Sequence, residues 1–147
     1  MDYKQKIERA FNSFTGKNLD SLNSFYASDV VFIDPVLEVR GLGRLKAYYS
    51  HAYENVKSIR FEFTDTIQEG SKVGASWIMH LQVTRLNGGK EYQVPGFSLF
   101  KFNEDGLVIF HRDYVDLGAM IYERLPLQGQ IIRGIKSLLK RGGSAAG

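Results

Sequence analysis

The sequence predicts an α+β domain, with helices first and then a long antiparallel meander whose one face the helices cover. Three observations carry this. Apolar residues recur at helical spacing near the N-terminus and again between Arg44 and Val56. From Ser58 the period changes to two and largely keeps to it as far as Val115. Turn signals at Glu69-Gly70-Ser71, Asn87-Gly88-Gly89 and Asn103 to Gly106 cut the alternating stretch into hairpins. A strongly twisted sheet wrapped over helices makes a cone. The hollow where helices meet sheet is a usual place for a ligand.

Taken in order, Asp2 to Phe14 is an amphipathic helix with Tyr3, Ile7, Ala10, Phe11 and Phe14 on one side, broken by Gly16 to Asn18. Leu19 to Ala27 reads as a second short helix carrying Leu22, Phe25 and Tyr26 on one side. Val30 to Ile33 is a strand that ends at Asp34-Pro35. A third helix, Arg44 to Val56, turns Leu45, Tyr48, Tyr49, Ala52, Tyr53 and Val56 inward. Ser58 to Gln68 alternates Ile59, Phe61 and Phe63 against Arg60, Glu62 and Thr64. Lys72 to Leu86 puts Val73, Ala75, Trp77, Met79, Leu81 and Val83 on one face and a more polar set, including Ser76, His80 and Gln82, on the other. Glu91 to Phe102 returns, and Leu107 to Val115 is the last strand. A helix over Leu117 to Arg124 is broken by Pro126, and a basic amphipathic segment follows from Gln130 to Arg141. Gly142 to Gly147 reads as a disordered end. The chain thus divides into one domain, residues 1–127, and an extension, residues 128–147.

Composition narrows the function classes. The 147 residues are 44% hydrophobic and 24% charged, an ordinary globular balance for one domain. With no cysteine there is no disulfide, thiolate nucleophile or cysteine metal site. The net charge of +3 is uneven: Ile131 to Gly147 carries +4 and the remainder −1. The body therefore offers no basic footprint, and no nucleic-acid partner is expected. No run has the length of a membrane span, and the N-terminus lacks a signal-peptide core, so a cytoplasmic protein is the default expectation. Gly41-Leu42-Gly43 lacks the further glycine and preceding long strand of a dinucleotide fingerprint, and no short histidine spacing suggests a metal. Neither cofactor nor metal is expected.

The candidate chemistry lies in two places. In VVFIDPV, Asp34 follows a run of apolar residues directly. Asp-Pro is an ordinary turn signal, and a carboxylate at the end of a buried strand is also how a fold makes a useful base. In FHRDYVD, alternation sends Phe110, Arg112, Tyr114 and Asp116 one way and His111, Asp113 and Val115 the other. His111 and Asp113 lie roughly 7 Å apart at their α-carbons, close enough to pair. An aspartate beside a histidine orients the ring and favours its charged form. The alternative is a pair on the surface of an edge strand. His80, on the more polar face of its strand, is expected to meet solvent or a second subunit, and His51 to be solvated. Tyr49 and Tyr53 share a helix face; as core aromatics they would need partners for their hydroxyls.

The run FYASDVVFIDPVLEVRG, the aromatic-rich helix after it, and the later GFSLFKFNEDGLV and HRDYVD resemble the SnoaL-like and ketosteroid-isomerase-like members of the nuclear transport factor 2 superfamily. The likeness covers roughly Ile7 to Ala119. It implies a cone-shaped NTF2-like (cystatin-like) fold with helices on a curved mixed, mostly antiparallel sheet, commonly dimeric through the outer sheet face. The superfamily holds isomerases, cyclases and other lyases beside non-catalytic binding modules, so the fold alone does not give the activity. Asp34 falls where ketosteroid isomerases keep their proton-shuttling aspartate, and Tyr49 falls near a tyrosine of their hydrogen-bond network. The oxyanion-hole positions fall at Ala10 and about Ser98, and an alanine cannot donate. His111 and Asp113 would face the pocket, closer to the SnoaL pattern.

Two expectations follow. The first is a cofactor-independent isomerase or cyclase-type lyase acting on a small hydrophobic carbonyl compound. In it Asp34 abstracts a proton, His111 held by Asp113 returns one or steadies the enolate, and Tyr49 and Tyr53 position them. Trp77, Met79, Phe61, Phe63 and Phe100, with Ser98, form the pocket. The second is a ligand-binding or dimerisation module without catalysis. For the extension, Ile131, Ile132, Ile135, Leu138 and Leu139 interleaved with Arg133, Lys136, Lys140 and Arg141 suit either weak contact with an anionic membrane or docking on the body or a partner.

Overall fold

The structure, a computed structural model, describes residues 2–14, 18–121 and 133–140. Asp2 accepts a hydrogen bond from the backbone N–H of Gln5 and so caps helix α1, Tyr3–Ser13. The helical period buries Ile7 and Phe11 on one side. A 3-10 helix, Leu19–Ser24, follows and plugs one end of the core with Leu22. Strand β1, Tyr26–Ile33, then runs into a short strand β2, Glu38–Arg40, and helix α2, Leu42–Ala52. The meander is β3, Val56–Glu69, β4, Lys72–Val83, β5, Tyr92–Phe102, and β6, Val108–Val115, closed by one short helix, α3, Leu117–Met120. Residues 133–140 form a further helix.

All six strands lie in one sheet in the order β2-β1-β6-β5-β4-β3. Only β1 and β6 pair in parallel; the other neighbours are antiparallel. The fold is thus the mixed, mostly antiparallel α+β architecture that the pattern predicts. α1 and α2 cover the inward face. Phe11, Phe25, Phe100 and Phe102 meet there in edge-on and tilted contacts, in one core with Val30, Phe32, Leu45, Val73 and Val108. Toward the wide end, Trp77, Met79, Leu81, Tyr92 and Val94 form a second cluster, so the alternation of β4 holds as read.

The differences have local causes. Leu19 to Ala27 is not one helix: the chain is extended from Tyr26, because Phe25 and Tyr26 are both buried and Ser28-Asp29 bulge outward. Along that bulge β1 advances from Tyr26 to Val31 while β6 advances only from Val108 to Phe110. The period of two is broken there, which hides the first half of the strand. β2 went unread because it has only one buried residue, Val39. α2 begins at Leu42 and ends at Ala52, where Val56 has already joined β3. At the β4–β5 hairpin, Asn87, Gly88 and Gly89 all take positive φ, which asparagine and glycine tolerate best. The break at Gly16, the end of the helix read to Arg124, Pro126, the start of the basic segment and the terminal Gly142 to Gly147 lie outside the described residues.

Candidate functional site

β1 pairs with β6 only as far as Ile33 opposite Arg112; beyond that β6 continues to Val115 with β5 as its one strand partner, Asp113 opposite Ser98. That places Asp34 and Asp113 at the same end of the cone. A cavity of about 370 Å³ opens between this end, α2 and the sheet. Asp34, Tyr48, Tyr49, Tyr53 and Asp113 line its polar side; Ile59, Phe61, Trp77, Met79, Leu81 and Met120 are among its apolar walls. A second hollow, also about 370 Å³, adjoins it and shares Asp34, Pro35, Asp113 and Val115.

His111 is fully buried. Its ring sits among Phe11, Phe32, Phe100 and Tyr26. Nε2 lies 2.6 Å from Asp113 Oδ1, and Nδ1 lies 2.8 Å from Tyr26 Oη. Tyr26 Oη is in turn 3.0 Å from Tyr49 Oη. Trp77 Nε1 donates to Ser98 Oγ at 2.8 Å, and Ser98 Oγ donates to Asp113 Oδ1 at 2.5 Å. Asp113 Oδ1 therefore receives two donors. Oδ2 accepts none among the described residues and is not sealed from solvent. The Asp113 side chain is 21% exposed and lines both hollows.

Asp34 is held differently. Oδ1 accepts the backbone N–H groups of Val36 and Leu37 at 2.8 and 3.0 Å, and Oδ2 accepts the Tyr48 hydroxyl. Its own N–H donates to Leu37 O. It is an Asx turn at the cavity mouth, with both carboxylate oxygens engaged. Burial, chiefly, pushes the tyrosine hydroxyls up: Tyr26 and Tyr49 well above the ordinary value, Tyr48 also up with Asp34 adding to the effect, and Tyr53 to about 12 with Asp113 contributing. All four stay protonated donors at neutral pH. Tyr53 lines the cavity, and its hydroxyl has no hydrogen bond among the described residues.

The sequence-read residues are thus distributed as follows. Asp34, Asp113, Tyr49, Tyr53, Trp77, Met79 and Phe61 line the cavity. His111, Ser98, Phe63 and Phe100 do not. His111 and Ser98 sit behind Asp113 as its hydrogen-bond partners, and Phe100 packs on the His111 ring with centroids 4.4 Å apart. Phe63 packs edge-on against Phe11 in the core. These side chains point inward as parity requires, but deeper along the cone than the hollow extends. Tyr26 and Tyr48 went unread as site residues. Tyr26 was hidden by the β-bulge; Tyr48, on the inner face of α2, had a legible position but no legible partner. His80 is on the outer face as read, yet it is only 8% exposed, covered by Glu62 at 3.1 Å and Glu91 at 3.8 Å. His51 is exposed beside Glu54. Among the described residues no group of three or more histidine, aspartate or glutamate side chains is arranged to hold a metal ion.

Helices on one face of a six-stranded mixed sheet, with a cavity at the end where the parallel pair stops, define an NTF2-like cone of the ketosteroid-isomerase type. Within that class, the chain belongs to the SnoaL-like domain family, whose model matches residues 7–111. Three solved structures share the fold. A protein described as a SnoaL-like polyketide cyclase, from Shewanella denitrificans OS-217, is 20% identical over 82% of this chain and 95% of its own, with a TM-score of 0.68. A protein with a ketosteroid isomerase-like fold from Catenulispora acidiphila DSM 44928, solved in complex with trimethylamine, is 16% identical over 80% and 92%, with a TM-score of 0.69. A protein described as an isomerase of the SnoaL-like family, from Agrobacterium tumefaciens str. C58, is 17% identical over 77% and 93%, with a TM-score of 0.60. No curated protein matches the sequence at a significant level.

Proposed function

We propose that the protein is a cofactor-independent isomerase or cyclase-type lyase that moves protons on a small, hydrophobic carbonyl compound, with Asp113 as the base. The observation that carries this is the asymmetry of the two carboxylates. Asp34 has both oxygens engaged, whereas Asp113, which lines the cavity, has no hydrogen bond at Oδ2 among the described residues while His111 and Ser98 fix Oδ1. A carboxylate held on one oxygen and free on the other is oriented for proton abstraction. Tyr53, close to Asp113 and with no hydrogen bond from its hydroxyl among the described residues, supplies a donor for the substrate oxygen. The apolar walls favour a ring-containing body. Family membership supports the isomerase-type role. The proton-abstracting part expected of Asp34 thus passes to Asp113, and Asp34 shapes the mouth.

A direct test follows α-proton exchange of 2-tetralone, a neutral bicyclic ketone, in D2O by ¹H NMR. Asp113→Asn keeps the size of the side chain and is expected to lower the exchange rate about 10²- to 10⁴-fold. Unchanged exchange in Asp113→Asn overturns this reading. Binding of the ketone without any enzyme-catalysed exchange supports the non-catalytic module instead.

The outer sheet face is proposed as a homodimer surface: Phe97 and Tyr114 pair there, 38% and 48% exposed. Sedimentation equilibrium of wild type and Phe97→Glu tests it, with a monomeric variant expected. For the extension, the Lys136 bond to Asp116 supports docking on the body over membrane contact. Co-sedimentation with anionic vesicles, with and without residues 128–147, separates the two.

A further inference from the structure

Tyr49 faces the cavity but has no part in the chemistry above. It is one end of a chain of polar groups that runs to Asp113: Tyr49 Oη to Tyr26 Oη at 3.0 Å, Tyr26 Oη to His111 Nδ1 at 2.8 Å, and His111 Nε2 to Asp113 Oδ1 at 2.6 Å. Both ends line the cavity. The middle does not: Tyr26 is 1% exposed and His111 0%. A chain with a buried middle and both ends in one hollow can carry a proton between two points of the same ligand without exchange with bulk water.

The state of His111 sets the direction of every bond. A carboxylate only accepts, so Nε2 carries hydrogen toward Asp113. With a neutral ring, Nδ1 is a lone pair. Tyr26 then donates to it, and Tyr26 oxygen accepts from Tyr49, whose hydrogen is turned away from the cavity. With an imidazolium, Nδ1–H donates to Tyr26, Tyr26 donates to Tyr49, and the Tyr49 hydrogen turns out toward the ligand. One proton on the ring therefore reverses two hydroxyls and turns Tyr49 from a donor to Tyr26 into an acceptor from it and a donor toward the ligand, with no heavy atom displaced.

We propose that Tyr49 is the acid of the reaction and that Tyr26 and His111 are the relay that supplies it, an inference that rests on Asp113 being the base. In the imidazolium–carboxylate state, Asp113 Oδ2 takes a proton from the carbon next to the carbonyl. The C–H electron pair becomes the C=C bond of the enol. The C=O π pair takes the Tyr49 proton, Tyr49 is refilled by Tyr26, and Tyr26 by His111 Nδ1. The ligand becomes a neutral enol, and the protein pair becomes neutral imidazole with carboxylic acid. When Asp113 returns its proton to a different carbon, the enol proton travels back along the relay, which completes an isomerisation and restores the starting state. No further reactant is required.

The surroundings leave this switch to a short set of groups. Asp113 on β6 is the one charged side chain bonded to His111 among the described residues. Phe11 of α1, Phe32 of β1 and Phe100 of β5 enclose the ring, and Tyr26 of β1 stacks on it. Tyr48 and Tyr49 of α2, Tyr53 just beyond it and Tyr92 of β5 are titratable groups on the cavity side, with Asp34 held by Tyr48.

Two measurements test the relay. The first needs no ligand: ¹⁵N shifts of His111 and the ¹³Cζ shift of Tyr49 followed against pH. Tyr49 is expected to move in step with His111 in the wild type. In Tyr26→Phe, Tyr49 no longer follows His111. A Tyr49 signal that stays fixed while His111 titrates, or a His111 that does not change while the fold persists, overturns the proposal. The second is 2-tetralone exchange. Tyr26→Phe and Tyr49→Phe are each expected to lose about 10²-fold in kcat, with KM unchanged in Tyr26→Phe, and the double variant to lose no more than either. Additive losses, or full rate in Tyr26→Phe, sink the relay and leave Asp113→Asn as the separate test of the base. Should Tyr26→Phe fail to fold, Tyr49→Phe still reads the loss of the acid.

Discussion

Asp34 and Asp113 border the same hollow, and their hydrogen bonds give them opposite freedom. Asp34 accepts two backbone N–H groups and the Tyr48 hydroxyl, so its replacement is felt first in stability. Asp34→Ala is expected to lower stability by about 1–2 kcal/mol through lost hydrogen bonds. Asp34→Asn, which still accepts on one oxygen, is expected to melt close to the wild type and to keep ketone exchange; thermal melts beside the exchange assay check both. Trp77 offers a second test at this scale. It donates to Ser98, and its indole packs on Gly96, where a β-carbon would come within 2.2 to 2.6 Å of three ring carbons. Gly96→Ala is expected to cost about 1–3 kcal/mol by overpacking. It should also shift the fluorescence of the single tryptophan as the indole leaves Ser98. The pairing of His111 with Asp113 was legible in advance, because residues two apart on one strand share a face. That the aspartate would stand in front and the histidine behind was not legible, because depth along the cone depends on how far β6 outruns β1.

Among the elements, α3 couples the cavity to the C-terminal helix. Asp116 caps α3 by accepting from Ala119 N–H, and its other oxygen accepts from Lys136 of helix 133–140. The Lys136 hydrogen bond, followed by that to Ala119, holds the Asp116 carboxyl below its ordinary value of 3.8. A depressed carboxyl stabilises the docked form at pH above that ordinary value, and the contribution fades as pH falls below it. Helix 133–140 is therefore expected to stay docked at neutral pH and to loosen in acid, and Asp116→Asn to loosen it at neutral pH. The rate of tryptic cleavage within 133–140 checks the variant. The strands β3 to β6, whose alternation is interrupted only locally, between Val56 and Ser58, Phe63 and Asp65, and Lys101 and Phe102, were legible almost to their ends. β1 and β2 were not, since a bulge and a strand of three residues leave no periodic trace.

At the scale of the molecule, the inner hydroxyls couple stability to alkaline pH. Tyr26, Tyr48, Tyr49 and Tyr53 are raised mainly by burial, Tyr53 to about 12 against an ordinary 10.0. Because the unfolded chain ionises first, the stability they lend is full below pH 10 and is lost as pH climbs toward the folded values. Absorbance at the phenolate band is expected to show these four ionising only as the fold opens. No helix among the described residues is long and apolar enough to cross a membrane.

By itself the sequence determined the helices, the alternating strands and which side chains face inward, since these depend on periods of three to four and of two along neighbouring residues. Tertiary structure alone decided which inward polar groups meet. Tyr26, Tyr49, His111 and Asp113 come from β1, α2 and β6, and their contacts depend on a bulge, a parallel register and the depth of a hollow. Local periodicity carries no record of such distances.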